Sequence, residues 1–237
     1  MIRPYEFTAV FRHYTGLEVA TLLAELQGLV PELLACSPML DGWLLKGNTK
    51  AEAFLYEVFG PSGPSTSAIA VLTESLKRDV DPRIVSMWNG REGRDGASVQ
   101  YVGRPAPETS RVVLRAKPGA FANDWRPAVD LFRKAIEIWL PTIVALETAG
   151  YFDKKVFNDR PGVGWMLYLP KVLTVQQVPE ARALVPILGA DKKQIGTIVV
   201  SVKDEPFSDE NPEHVKIANA IEIRLVDQDL LPRYIDL

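Results

Sequence analysis

The chain opens on an alternation of apolar and polar positions. YEFTAVFRH (5–13) places Tyr5, Phe7, Ala9 and Phe11 on one side and Glu6, Thr8 and Val10 on the other, which predicts a strand. The period then changes. Leu17, Ala20, Leu23, Ala24, Leu26 and Val30 recur at helical spacing, so 17–35 reads as an amphipathic helix stopped near Pro38. DGWLLKG (41–47) reads as a short strand, AEAFLYEVFG (51–60) as strand or helix, and GPSGPSTS (60–67) as a loop whose last hydroxyls cap a helix over 68–78. RIVSMWNG (83–90), ASVQYVG (97–103) and SRVVLRA (110–116) form a predicted antiparallel meander, with REGRDG (91–96) as a polar loop.

The second half begins with a predicted helix from Trp125 to about Leu146, capped by Asn123 or Asp124, kinked at Pro141 and ended by Gly150. FNDRPGVG is a loop, WMLYLP (165–170) a strand, VPEARAL (178–184) a short helix, and GTIVVSV (196–202) a strand. A last helix runs from Pro212 to Asp229 behind Asn211. The strands come in hairpin-like runs, so the expected fold class is α+β, a mostly antiparallel sheet with packed helices in one domain over 1–237. GWLLKG (42–47) and GWMLYL (164–169) each follow a helix. They read either as an echo between two related halves, 1–104 and 110–237, or as two ordinary aromatic strands.

Composition removes several classes. The chain has 237 residues, 47% of them apolar, and one cysteine, which excludes a disordered chain and a disulfide scaffold. The opening residues carry no secretory pattern and no stretch reads as a membrane span, so a cytoplasmic location and no membrane partner are expected. Two histidines, His13 and His214, offer no HExxH or H-x-E spacing, and CxxC, GxGxxG, GxxxxGK[ST] and GxSxG are missing. Cys36 has no evident base and reads as a small buried hydrophobe. No catalytic residue, metal ligand or cofactor is assigned.

Charge adds the remaining signal. Residues 1–76 carry 4 basic and 8 acidic side chains, 77–134 carry 12 and 7, and 135–237 carry 11 and 15. The stretch 204–237 holds 9 acidic and 3 basic residues. Such blocks are ordinary solvated surface or an encounter surface for a charged partner. The candidate partner-binding residues are Asp204, Glu205, Asp209 and Glu210, together with Trp88, Arg91 and Arg94 around the 91–96 loop, where aromatic and arginine side chains are typical anchors. Nucleic-acid binding through 77–134 ranks lower, because Asp79, Asp81, Glu92 and Asp95 interrupt its arginines.

VSMWNGREGRDGASVQY (85–101), WRPAVDLFRKAIEIW (125–139) and GVGWMLYLP (162–170), with the N-terminal strand and helix, resemble the immunity protein 52 family. That resemblance implies an α+β protein that binds and neutralises a cognate toxin of a type VI or polymorphic secretion system, usually one with a restriction-endonuclease-type nuclease domain. It supplies no catalytic signature to transfer. The alternatives are an immunity protein against another type VI toxin class and a small enzyme with a dispersed carboxylate site.

Overall fold

The computed structural model describes residues 3–12, 18–47, 49, 51–77, 82–121 and 124–237. In chain order the elements are β1 (Tyr5–Phe11), α1 (Val19–Gln27), α2 (Val30–Cys36), β2 (Leu44–Leu45), β3 (Phe59–Gly60), β4 (Gly63–Pro64), α3 (Thr66–Leu76), β5 (Arg83–Trp88), β6 (Ala97–Gly103) and β7 (Ser110–Ala116). Then follow α4 (Arg126–Trp139), β8 (Ile143–Thr148), β9 (Met166–Leu169), β10 (Ala183–Leu188), β11 (Gln194–Val200) and α5 (Pro212–Asp227). One nine-stranded sheet has the order β10-β11-β9-β8-β1-β7-β6-β5-β2, and every pairing in it is antiparallel. The expected α+β class holds.

The alternation of β1 is reproduced in its burial: Tyr5, Phe7, Ala9 and Phe11 are buried, with half-exposed residues between them. These four join Val99, Tyr101, Val112, Leu114, Val144 and Leu146 on one face of the sheet. Aromatic packing fixes α4 there. Phe7 meets Phe132 edge-on at 5.4 Å, and Phe11 stacks on Trp139 at 5.1 Å. The Trp139 Nε1 donates to Glu25 Oε2 of α1 at 3.0 Å, tying two helices together.

Several boundaries differ from the sequence expectation. The helix expected over 17–35 is two helices, because Pro31 lacks the N–H that would bond to the preceding turn. The stretch Val19–Cys36 is long and apolar enough to cross a membrane by composition alone. However, Leu22, Leu23, Leu26 and Leu33 are packed into the protein's own core.

The expected 125–146 helix ends at Trp139. Leu140 takes a left-handed conformation (φ 46°), Pro141 blocks continuation, and Ile143–Thr148 becomes strand β8 beside β1. Gly150 therefore follows a strand rather than ending a helix. Asp124 Oδ1 accepts from the Arg126 amide at 3.0 Å, while Asn123 lies outside the described residues. The short helix expected over 178–184 is absent: Ala183 instead begins β10, held by its pairing with β11. Within 51–60 a single 3₁₀ turn, Glu52–Phe54, precedes the small β3–β4 hairpin.

Other expectations hold. The β5–β6–β7 meander is present, Ser65 Oγ caps α3 by accepting from the Ala68 amide, and Asn211 Oδ1 caps α5 by accepting from the Glu213 amide. The two glycine–tryptophan echoes occupy unlike places. Leu44–Leu45 is a two-residue edge strand, whereas Met166–Leu169 lies between β8 and β11.

Candidate functional site

The acidic stretch 204–210 does not form one exposed cluster. Asp209 is 5% exposed. Its Oδ2 lies 3.7 Å from Lys154 Nζ, which also donates to the Asp209 carbonyl, and its carboxylate packs against Gly150. Glu205 Oε1 accepts from His214 Nε2 at 3.0 Å. Asp204 and Glu210 are exposed.

Ser208, His214 and Glu205 superficially suggest a nucleophile, base and acid. The hydrogen bonds assign other roles. The Ser208 amide donates to His214 Nδ1 at 3.0 Å, so the ring proton sits on Nε2 and goes to Glu205. No ring lone pair is left to activate a hydroxyl, and Ser208 Oγ accepts from the Glu210 amide. The group anchors the segment ahead of α5.

A second buried polar group docks α5. Glu222 is 1% exposed and accepts from the Tyr151 hydroxyl (2.6 Å), the Val156 amide (2.9 Å) and the Val163 amide (3.0 Å). Burial raises its pKa, and those three donors work against the rise. Nearby Lys155 donates to the Arg160 carbonyl and the Tyr234 hydroxyl, which pins the C-terminal tail, and burial lowers its pKa. Cys36 is held as a thiol, its pKa pushed up to about 12 by burial and by Asp130 and Glu32. Among the described residues no group of three or more His, Cys, Asp or Glu side chains is placed to hold a metal ion.

The side of the sheet facing away from α4 is the other candidate. The register puts Trp88, Ser98, Arg115, Glu6 and Glu147 directly opposite one another across five strands, β5 to β8. Ser86, Gln100, Val113, Thr8 and Ala145 form the next row, and Ile84, Val102, Arg111, Val10 and Ile143 the third. At about 4.8 Å per strand this face is about 19 Å wide.

Two concavities lie on it. One of about 600 Å³ is lined by Glu6, Thr8, Arg104, Arg111, Glu147 and tail residues including Tyr234 and Ile235. The other, about 430 Å³, is lined by Lys46, Trp88, Ser98, Gln100 and Arg115. Arg115 Nε donates to Glu6 Oε2 at 2.8 Å, and Arg104 pairs with Glu108. Arg111 and Lys46 are exposed, and neither forms an ion pair among the described residues.

Glu147 is the odd member of this face. Its Oε2 is sealed from solvent with no hydrogen-bond donor. Burial pushes its pKa up to about 7, with Glu6 and Glu222 adding to the rise and Lys155 opposing it. The GVG motif explains the seal. Gly164 has φ +48°, and a Cβ there would collide with the Glu147 side chain; a Cβ on Gly162 would lie 2.8 Å from Glu147 Oε2.

Of the sequence candidates, Trp88 belongs to this face. It donates from Nε1 to the Ala53 carbonyl at 3.0 Å and meets Phe54 edge-on at 5.0 Å. Arg91 and Arg94 are exposed on the loop that follows β5. The acidic segment lies elsewhere, beside the start of β1, where the Tyr5 hydroxyl donates to the Phe207 carbonyl. Arg111, Arg115, Glu6 and Glu147 were missed as candidates. The signal was the period of two in SRVVLRA and YEFTAVF, which sends alternate polar residues to one face.

The fold and this surface define an α+β protein whose buried polar groups anchor its own helices and tail and whose sheet leaves one face open. The chain belongs to the immunity protein 52 family, whose sequence pattern matches residues 18–233. Among solved structures, the Pseudomonas aeruginosa T6SS protein PA0821 shares the fold, with a TM-score of 0.52 and 11% identity over 92% of this chain and 75% of that one. No curated protein matches the chain.

Proposed function

We propose that this chain is a cytoplasmic inhibitor that binds a cognate nuclease toxin of a type VI secretion system and protects the bacterium that makes it. The observation that carries the reading is membership of the immunity protein 52 family over most of the chain. The polar chemistry is compatible with it. Ser208, His214 and Glu205, which the fold brings together like a nucleophile, base and acid, instead hold one another and a loop. The function is binding, with no reaction of its own.

The test is co-expression with the toxin encoded by the adjacent gene. The expected result is a complex that co-purifies and a host that survives with intact nucleic acid. A host that dies equally with and without this chain, with no complex recovered, rejects the reading. Death without nucleic-acid degradation in unprotected cells rejects the nuclease part alone.

One observation favours the carboxylate-enzyme alternative: Glu147, with its pKa near 7, lines a groove of about 600 Å³. Against it, Oε2 of that carboxyl is closed off from solvent beside Gly162.

A further inference from the structure

We propose that the open face of strands β5 to β8 is the toxin-binding surface, and that the toxin lays an acidic segment across it. This rests on the reading that the chain binds a cognate toxin. An antiparallel sheet can leave one face to water without consequence, so the charge and the rims must carry the argument.

The floor of the face is cationic. Glu6 is neutralised by Arg115 and Glu108 by Arg104, and one oxygen of the Glu147 carboxyl is sealed, which among the described residues leaves Arg111 and Lys46 exposed without a carboxylate partner. A partner bringing carboxylates meets cations already held at the surface of a rigid sheet.

The rims are apolar. Phe152 is 54% exposed, Tyr234 46% and Ile235 89%, and all three border the larger concavity. On the opposite side Phe54 is 49% exposed and packs on Trp88. Trp, Tyr and Arg are the residue types that dominate binding at protein interfaces. The rival surface at 204–210 lacks this construction, since Asp209 is buried against Lys154 and Glu205 is bonded to His214.

The experiment measures binding of a catalytically silenced form of the adjacent-gene toxin to four purified proteins. These are the wild type, Arg111→Glu, the double variant Lys46→Glu/Gln100→Glu, and the acidic-segment variant Asp204→Lys/Glu210→Lys. All the substituted side chains are at least partly exposed, and circular dichroism with a melting curve confirms that each variant folds.

The expected result is a loss of affinity of about 30-fold for each sheet-face variant, a hot-spot-sized effect, with the acidic-segment variant close to wild type. Association with the wild type should also slow as salt rises. Tight wild-type binding that both sheet-face variants retain overturns the surface while leaving the toxin-binding reading intact. No wild-type binding overturns the reading itself. Retardation of DNA or RNA at about 50 mM salt that is lost in Arg111→Glu overturns the acidic-protein partner in favour of a polyanion.

Discussion

At the scale of single residues, the structure separates polar groups that hold the fold from those left at the surface. Glu222, Lys155 and Asp209 are buried, and each has hydrogen-bond or ion-pair partners. Glu147 is different, because one oxygen is sealed without a donor. Its pKa rises from an ordinary 4.5 to about 7 on folding. The folded state therefore holds this proton more tightly than the unfolded chain does. Stability is greatest below pH 4.5 as far as this group is concerned and falls as pH rises towards 7. A rise of that size corresponds to about 3 kcal/mol lost across the window. Glu147→Gln removes the titration while keeping the shape. In urea unfolding at pH 5 and pH 8, the variant should gain on the wild type by about 2–3 kcal/mol between the two pH values. Glu222 and Lys155 are present in both proteins, and their coupling to the Glu147 charge is part of that difference. An unchanged difference between pH 5 and 8 would show that burial does not hold the proton on Glu147 as described.

At the scale of elements, legibility followed the range of the forces involved. The caps of α3 and α5 are set by residues within three positions of the helix start, and Ser65 and Asn211 were readable as such. The meander β5–β6–β7 was readable because turn residues and alternation are local. Residues 140–146 were misread because IVAL continues the apolar character of α4, although its β-branched residues favour β8 once β1 offers a partner. Residues 183–188 were misread because the pairing with β11 that makes them a strand lies outside the window in which PEARAL looks helical. The burial of Asp209 was not legible for the same reason: Lys154, which pairs with it, lies 55 residues earlier.

One local feature at the α4 end is testable. Leu140 is 75% exposed and sits at φ 46°, where a side chain is strained and glycine is not. Leu140→Gly should stabilise the protein by about 0.5–1 kcal/mol, read as a higher urea midpoint at unchanged m-value. A lower midpoint would show that the leucine side chain contributes packing that its exposure conceals.

At the scale of the whole molecule, the sheet order decides whether the halves 1–104 and 110–237 are independent. β1, from the N-terminal half, lies between β7 and β8, both from the C-terminal half. β7 in turn lies between β1 and β6, so the two halves alternate at the centre of the sheet. Cutting at 104–110 removes β1 from between two strands and strips Phe7 and Phe11 from Phe132 and Trp139, the contacts that seat α4. Each fragment would expose three unpaired strand edges and half of the aromatic core. Neither should fold alone, and mixing them should restore structure, because the missing pairings are intermolecular only after the cut.

The intact chain should unfold in one transition. Trp43 and Trp88 report on one half and Trp125, Trp139 and Trp165 on the other. Tryptophan fluorescence and far-ultraviolet circular dichroism should therefore give coincident urea curves. Two separated transitions, or a fragment 110–237 that shows a cooperative melt alone, would mean that the sheet is held by each half separately and that β1 is dispensable to its neighbours. A single transition would carry a consequence for the open face. Its rows draw residues from both halves, Trp88 and Glu6 from one and Arg115 and Glu147 from the other, so the surface would exist only in the fully assembled sheet.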